Sequence, residues 1–164
     1  MIQITPDVLT HLRLKSNKEN KYAHVACFTT NYKHFDIDNI CSIGTNSNKS
    51  RFNNKYITTH AEIQAYENLK YKMSRYEGKL NKNKRKTMDL ISIRFLKTGE
   101  LSDSAPCLHC SIELNKNKIV KINNLIYSTS SGTIVKIKFD DYINSCHKCI
   151  SKGRQRVQVH CNNN

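Results

Sequence analysis

Apolar residues recur along the chain at two spacings, one typical of helices and one typical of strands. Between residues 6 and 18, Val8, Leu9 and Leu12 fall on one side of a helix, and Thr5 is placed to cap its start. A second helical spacing begins at His60 and places Ile63, Tyr66 and Leu69 on one face. A third helix is predicted from Cys107 to about residue 118.

Short apolar runs bounded by polar turns predict strands between these helices. The predicted strands cover residues 22–30, 40–44, 88–96, 125–129 and 133–139. Only Ser130, Ser131 and Gly132 separate the last two strands, and so short a connection forces them to run antiparallel. The fold class is therefore predicted to be α/β, ending in a β-hairpin. Cys27 and Cys41 lie within predicted strands and are expected to be small core residues.

The length of 164 residues suits one domain with a single core. We expect residues 1–145 to form a catalytic domain and residues 146–164 a basic tail that contains cysteine and histidine. The N-terminus lacks a basic region followed by an apolar run, and no segment approaches membrane-spanning length. Seven cysteines, an odd number, favour metal chemistry in a reducing compartment over disulfides. These features predict a cytoplasmic protein with no membrane partner.

The net charge of +14 has two explanations. A basic surface concentrates phosphate ligands, which would favour a nucleic-acid partner. However, lysine and asparagine occur together throughout the chain, a bias that an A/T-rich coding sequence would produce without selection for binding. The basic run at 79–86 has the same ambiguity. It is expected to be a solvated loop, with a phosphate-binding arm or a nuclear address as alternatives.

Two short motifs carry the chemistry. His60-Ala61-Glu62 begins the second predicted helix, and Pro106 precedes Cys107-x-x-Cys110 at the start of the third. A catalytic zinc site uses three protein ligands and leaves its fourth position to water. His60, Cys107 and Cys110 supply three such ligands. Glu62 is then available to take a proton from water and to return protons to a ring nitrogen and to leaving ammonia.

The placement of Pro106 predicts that both cysteines lie in the first turn of a helix. Proline suits the first helical position, and two residues three apart share one helix face, so both sulfur atoms can reach one ion. The positive end of the helix dipole also favours the thiolate form that zinc requires. His109, between the cysteines, and His24 in the first strand are not expected to be ligands.

Less specific interpretations of the cysteine motif remain open. A Cys-x-x-Cys pair in an intracellular chain can be redox-active or can form half of a structural zinc site. Cys107-x-x-Cys110 could pair with Cys146-x-x-Cys149 to form a four-cysteine ribbon.

The order of the two motifs, with the strands around them, resembles the cytidine deaminase-like superfamily across roughly residues 21–141. The resemblance implies a three-layer α/β/α fold with a five-stranded mixed sheet, a catalytic Zn²⁺ and hydrolytic deamination. The antiparallel final hairpin is similar to the branch that acts on free cytidine. His60 departs from that branch, which commonly uses three cysteines. Members are commonly dimers or tetramers, which makes a homo-oligomer a candidate partner.

The resemblance also implies substrate-binding residues. Gly44, a spacer and Asn46 match the segment in which an asparagine amide holds a ribose hydroxyl, although Asn48 stands where the free-cytidine branch has a second, sugar-binding glutamate. Tyr22 matches an aromatic residue that packs against the base. The Ala61 amide and the Ala105 carbonyl would contact the base edge. An ordinary turn at Gly44 and Asn46 is the alternative.

The tail offers four further metal ligands, namely Cys146, Cys149, His160 and Cys161. They could form a second, closed and structural zinc site. The alternative is a frayed tail with reduced thiols.

The function expected from the sequence is zinc-dependent hydrolytic deamination of a cytosine-type base, nucleoside or nucleotide. One alternative is a cytosine or adenosine deaminase of RNA or single-stranded DNA, and another is a zinc-binding interaction module without turnover.

Overall fold

The computed structural model describes residues 4, 6–16, 23–30, 37–52, 55–76 and 85–145 of the 164-residue chain. The described helices are α1 (Pro6–Ser16), α2 (Ala61–Tyr76), α3 (Leu108–Asn115) and α4 (Phe139–Asn144). The described strands are β1 (Ala23–Thr29), β2 (Ile40–Thr45), β3 (Ser47–Phe52), β4 (Lys55–Thr59), β5 (Lys86–Phe95), β6 (Leu101–Ser102), β7 (Val120–Ser128) and β8 (Ile134–Lys138). A short 3₁₀ turn spans Ile37–Asn39.

The main sheet has the strand order β2-β1-β5-β7-β8, and β6 pairs with the end of β5. β5 and β7 are parallel, whereas the β1–β2, β1–β5 and β7–β8 pairs are antiparallel. The predicted mixed sheet and its antiparallel final hairpin are therefore confirmed. The sheet has six strands instead of the expected five because the two-residue β6 adds to β5 through Arg94–Ser102 and Phe95–Leu101.

Apolar residues cover both faces of this sheet. Leu90 and Ile91 are neighbours on β5 and, because side chains alternate along a strand, they enter different cores. Leu90 belongs to a cluster with residues of α2, α3 and α4, and Ile91 belongs to a cluster with Val8 and Leu12 of α1. The sheet therefore lies between α1 on one side and the other three helices on the opposite side, which is the predicted three-layer arrangement.

The connection between α3 and β7 differs from the prediction. The third helix ends at Asn115 and the next strand begins at Val120, earlier than expected for both. Asn117 explains the break, because its side-chain oxygen accepts hydrogen bonds from the N–H groups of Ile119 at 3.2 Å and Val120 at 3.0 Å. Its amino group donates to the carbonyl of Leu114. An asparagine that bonds to nearby backbone groups competes with the helix and ends it.

Besides β6 and the 3₁₀ turn, a hairpin and a helix were not predicted from the sequence. One is the β3–β4 hairpin, whose polar residues lack the apolar alternation of a half-buried strand. Ser47 pairs with Thr59, so the hairpin returns the chain beside Asn46 immediately before α2 begins. The other is the short helix α4, in which Phe139 and Tyr142 are buried.

Candidate metal centre

The starts of α2 and α3 lie at the same end of the sheet. His60 caps α2, since the N–H of Gln64 donates to the His60 carbonyl at 3.0 Å. Cys107 caps α3 in the same way through the N–H of Ser111, at 2.9 Å. The side chain of Cys107 therefore lies at the positive end of the α3 dipole, which favours an anionic sulfur.

The start of α3 differs in one respect from the prediction. The helix begins at Leu108, so Pro106 precedes the cap instead of occupying the first helical position, and Cys107 is the cap instead of a first-turn residue. Cys107 has an extended backbone, with φ −68° and ψ 163°. Cys110 is the third residue of the helix, and its sulfur lies 3.5 Å from that of Cys107. Both sulfurs therefore face one point, as the three-residue spacing predicted.

Side chains from the two motifs meet at this point. His60 Nδ1 lies 3.1 Å from the sulfur of Cys110 and 3.4 Å from that of Cys107. Zinc–sulfur bonds of about 2.3 Å and zinc–nitrogen bonds of about 2.0 Å give ligand separations of roughly 3.5–3.8 Å in a tetrahedral site. The observed separations are slightly shorter, so small side-chain movements would admit an ion. A sulfur–sulfur distance of 3.5 Å is far too long for a disulfide.

The pKa values of the two thiols shift in opposite directions. The hydrogen bond with Cys110 lowers the pKa of Cys107, and the hydrogen bond with His60 acts in the same direction against the effect of burial. The hydrogen bond with Cys107 raises the pKa of Cys110, and burial and the negative charge of Glu62 add to this effect. Zinc binds cysteine as thiolate, so an ion held between the two sulfurs would displace the protons that remain on them.

Glu62 lies in the first turn of α2, and its side chain is only 1% exposed. Its Oε1 atom is 3.5 Å from the Ser92 hydroxyl and 3.6 Å from His24 Nε2. Its Oε2 atom is buried and has no hydrogen-bond partner among the described residues. Because a buried carboxylate oxygen without a partner is costly, this atom points to a ligand or a reacting group that would complete the site.

Asn46 and Ala61 lie next to each other at the start of α2. The Ala61 N–H donates to Asn46 Oδ1 at 2.8 Å, and Gln64 Oε1 accepts a hydrogen bond from the N–H of Thr45 at 2.6 Å. The residues predicted to contact the sugar and the base are thus linked to each other. Ala105 is half-buried, and its N–H donates to Asp103 at 3.3 Å.

The sequence analysis missed the role of Tyr142. Its hydroxyl donates to the carbonyl of Pro106 at 2.6 Å, which ties α4 to the residue before the Cys107 ligand. Burial raises the pKa of Tyr142, and neighbouring Tyr127 and Glu62 act in the same direction. The phenol therefore stays protonated and remains a hydrogen-bond donor. No sequence motif linked a tyrosine 36 residues further along the chain to the cysteine loop.

His24 was also missed, although its position offered a signal. His24, Ala26 and Phe28 share one face of β1, and Ala26 and Phe28 belong to the core beside α2. Burial lowers the pKa of His24, while the charge of Glu62 opposes this effect, so the imidazole is neutral at pH 7. A polar side chain at a core-facing strand position requires a partner.

Among the described residues, the group able to bind a metal consists of His60, Cys107 and Cys110. His109 is not part of it, in agreement with the expectation. Tyr22, most of the basic run and the four tail ligands Cys146, Cys149, His160 and Cys161 lie outside the described residues, so predictions about them stay predictions.

None of the described helices has the length and apolar character needed to cross a membrane. No protein-family model matches the chain, and no curated protein matches it in sequence.

Proposed function

We propose that the chain is a zinc-dependent hydrolytic deaminase that acts on a cytosine-type base, nucleoside or nucleotide and releases ammonia. The observation that carries this proposal is the unpartnered Oε2 of buried Glu62, two residues after a histidine that meets two cysteine sulfurs. Three protein ligands leave a fourth position open, which is typical of catalytic zinc and not of structural zinc.

A zinc ion held by His60, Cys107 and Cys110 would supply a Lewis acid that lowers the pKa of a water molecule in the fourth position. Two thiolates nearly neutralise the charge of the ion, which weakens this effect. A base must therefore assist. In this proposal Glu62 Oε2 accepts one proton from the water and passes it to the ring nitrogen, then takes the second proton from the added hydroxyl and passes it to the amine, which leaves as ammonia.

The antiparallel β7–β8 pair supports a small substrate, because this arrangement resembles the free-cytidine branch. In the proposed complex, the amino group of Asn46 donates to a sugar hydroxyl and the Ala105 carbonyl accepts from the base. The Ala61 N–H already donates to Asn46, so its contact with a base edge requires that hydrogen bond to be exchanged.

A polynucleotide substrate is the second candidate, favoured by the net charge of +14. This alternative predicts deamination of cytosine or adenosine in RNA or single-stranded DNA. It also predicts that binding weakens steeply as salt rises, because lysine and arginine contacts to phosphates release counterions.

The test is ammonia release from a panel of cytidine, deoxycytidine, their monophosphates, adenosine, guanine and single-stranded oligonucleotides. We expect the wild-type protein to act on a cytosine-type substrate. Replacing Glu62 with glutamine should lower the rate by about 10²–10⁴-fold, as expected on loss of a general acid–base. Zinc content per chain should be unchanged.

Glu67→Gln is the matched control, since Glu67 lies on the same helix, is exposed and pairs with Lys70 at 3.6 Å. It should retain full activity. Full activity of Glu62→Gln would contradict the assigned role of Glu62. A zinc-loaded wild-type protein that releases no ammonia from any substrate would instead support an interaction module without turnover.

A further inference from the structure

Beyond the candidate metal ligands, two polar side chains, His24 and Ser92, lie against the carboxylate of Glu62. His24 Nε2 lies 2.9 Å from the Ser92 hydroxyl and 3.6 Å from Glu62 Oε1. The side chain of His24 is 13% exposed and that of Glu62 is 1% exposed, so water competes little for these contacts. His24 on β1 and Ser92 on β5 are held in register by the pairing of these two strands, and Glu62 lies on α2, which packs against the same face of the sheet.

The serine hydroxyl decides which atom carries the histidine proton. Ser92 has a single hydroxyl proton, and its oxygen lies 2.9 Å from the carbonyl of Ser104, which can only accept. The distance from this hydroxyl to Glu62 Oε1 is 3.5 Å, so the Ser104 carbonyl is the better acceptor. Ser92 must then accept from His24, which places the imidazole proton on Nε2.

Other contacts hold Ser92 in this position. The Ser104 hydroxyl donates to the Ser92 carbonyl at 2.6 Å, and the Ser128 hydroxyl donates to the Ser102 carbonyl at 2.6 Å. Ser92 on β5, Ser128 on β7 and Ser104 in the segment between β6 and α3 are all buried. Buried polar networks with satisfied partners make the geometry of their members rigid.

We propose that His24 is a positioning residue for Glu62: its Nε2–H, shared between the Ser92 oxygen at 2.9 Å and Glu62 Oε1 at 3.6 Å, holds Oε1 so that Oε2 faces the reacting water and base. This inference rests on the proposed function. A contact of 3.6 Å is long for a hydrogen bond, but catalytic hydrogen bonds are often long without substrate and shorten in the complex. A neutral imidazole suits this task because it donates a proton without neutralising the carboxylate.

The kinetic test compares two substitutions of His24. His24→Leu removes the donor and should lower kcat by about 10–100-fold, the cost of a misplaced catalytic group, with KM changed less than about 3-fold. Glutamine places an amide nitrogen near the Nε2 position, so His24→Gln should recover kcat to within about 5-fold of wild type. His11→Leu on α1 is the matched control and should leave both constants unchanged.

A purely structural role for His24 predicts another pattern, in which both substitutions lower stability and kcat to the same extent. Equal kcat values for His24→Leu and His24→Gln, measured in folded proteins with normal zinc content, would overturn the proposal. An active wild-type enzyme combined with unchanged kcat in His24→Leu would also overturn it, while leaving the proposed function intact. An inactive wild-type protein would count against the function itself.

A second readout does not depend on turnover. Nitrogen NMR of histidine-labelled protein should show His24 as the neutral Nε2–H tautomer at pH 7, in wild type and in Ser104→Ala. In Ser92→Ala the bond to Ser92 is lost, and the His24 proton resonance should shift. A neutral Nδ1–H tautomer in wild type would overturn the proposed donor geometry.

Discussion

Gly44 is the residue at which β2 comes closest to α2. A Cβ atom at this position would overlap with the backbone of Ala61 and Ala65, both fully buried in the helix. This close approach places Thr45 and Asn46 within hydrogen-bonding distance of the first turn of α2. The glycine and asparagine that the sequence offered as a sugar-binding segment therefore also help to position His60.

We predict that Gly44→Ala destabilises the protein by about 3 kcal/mol, because backbone atoms cannot move aside as a flexible side chain would. Urea denaturation would measure the change in the free energy of unfolding. Gly132→Ala is a useful comparison. Gly132 has φ +78° in an open turn, so only backbone strain opposes its replacement, and we expect a smaller loss of about 1 kcal/mol. Equal losses at the two positions would refute the explanation by close approach.

Helix α4 packs beside the candidate metal centre, although it contributes none of the candidate ligand side chains. Tyr142 donates to the Pro106 carbonyl, and its ring lies 5.9 Å from that of Tyr127 on β7. The loop that contains Cys107 is thus held by a hydrogen bond from one side and by the start of α3 from the other. A ligand held in this way loses less conformational entropy when it binds an ion.

We predict that Tyr142→Phe lowers stability by about 1–2 kcal/mol, the cost of a buried carbonyl left without its donor. It should also weaken zinc binding, as measured by competition with a chromogenic chelator. Tyr71→Phe on the exposed face of α2 is the control and should change neither quantity. Wild-type zinc affinity in Tyr142→Phe would show that α4 does not support the ligands.

In the whole molecule, the metal centre joins two distant parts of the chain. His60 and Cys107 are 47 residues apart and meet because α2 and α3 both begin at one end of the sheet. An ion bound there would link the two helices in the folded state but not in the unfolded chain, and such selective binding stabilises the folded state.

Zinc should therefore raise the melting temperature of chelator-treated protein. At a free concentration 100 times the Kd, the stabilisation is about 2.7 kcal/mol, or roughly 5–10 °C for a chain of this size. Cys107→Ala should lose this shift, whereas Cys41→Ala, whose thiol contacts the Asn39 carbonyl outside the cluster, should keep it. An equal shift in Cys107→Ala would contradict the site.

Metal analysis of the same samples tests the tail. About one zinc per chain is expected from the site at His60, and about two if Cys146, Cys149, His160 and Cys161 form a closed site. In the second case, a Cys146→Ala and Cys149→Ala double variant should return the zinc content to about one.

The sequence by itself determined the candidate metal ligands and the broad architecture. The motif spacing identified His60, Cys107 and Cys110, and the two apolar periods identified α1, α2, β1, β5 and the final hairpin. These features are local, because a helix start, a three-residue spacing and a short turn depend on neighbouring residues. The β3–β4 hairpin was not predicted because its residues are mostly polar and carry neither the helical nor the strand spacing of apolar residues.

Only the tertiary structure decided what surrounds the site. The strand order places His24 and Ser92 beneath Glu62, and the packing of α4 brings Tyr142 to Pro106. These contacts join residues 30–68 positions apart, and they depend on strand pairing and register that no short stretch encodes. Sequence spacing could name the candidate metal ligands, but only the folded sheet could bring the groups that orient the carboxylate into place.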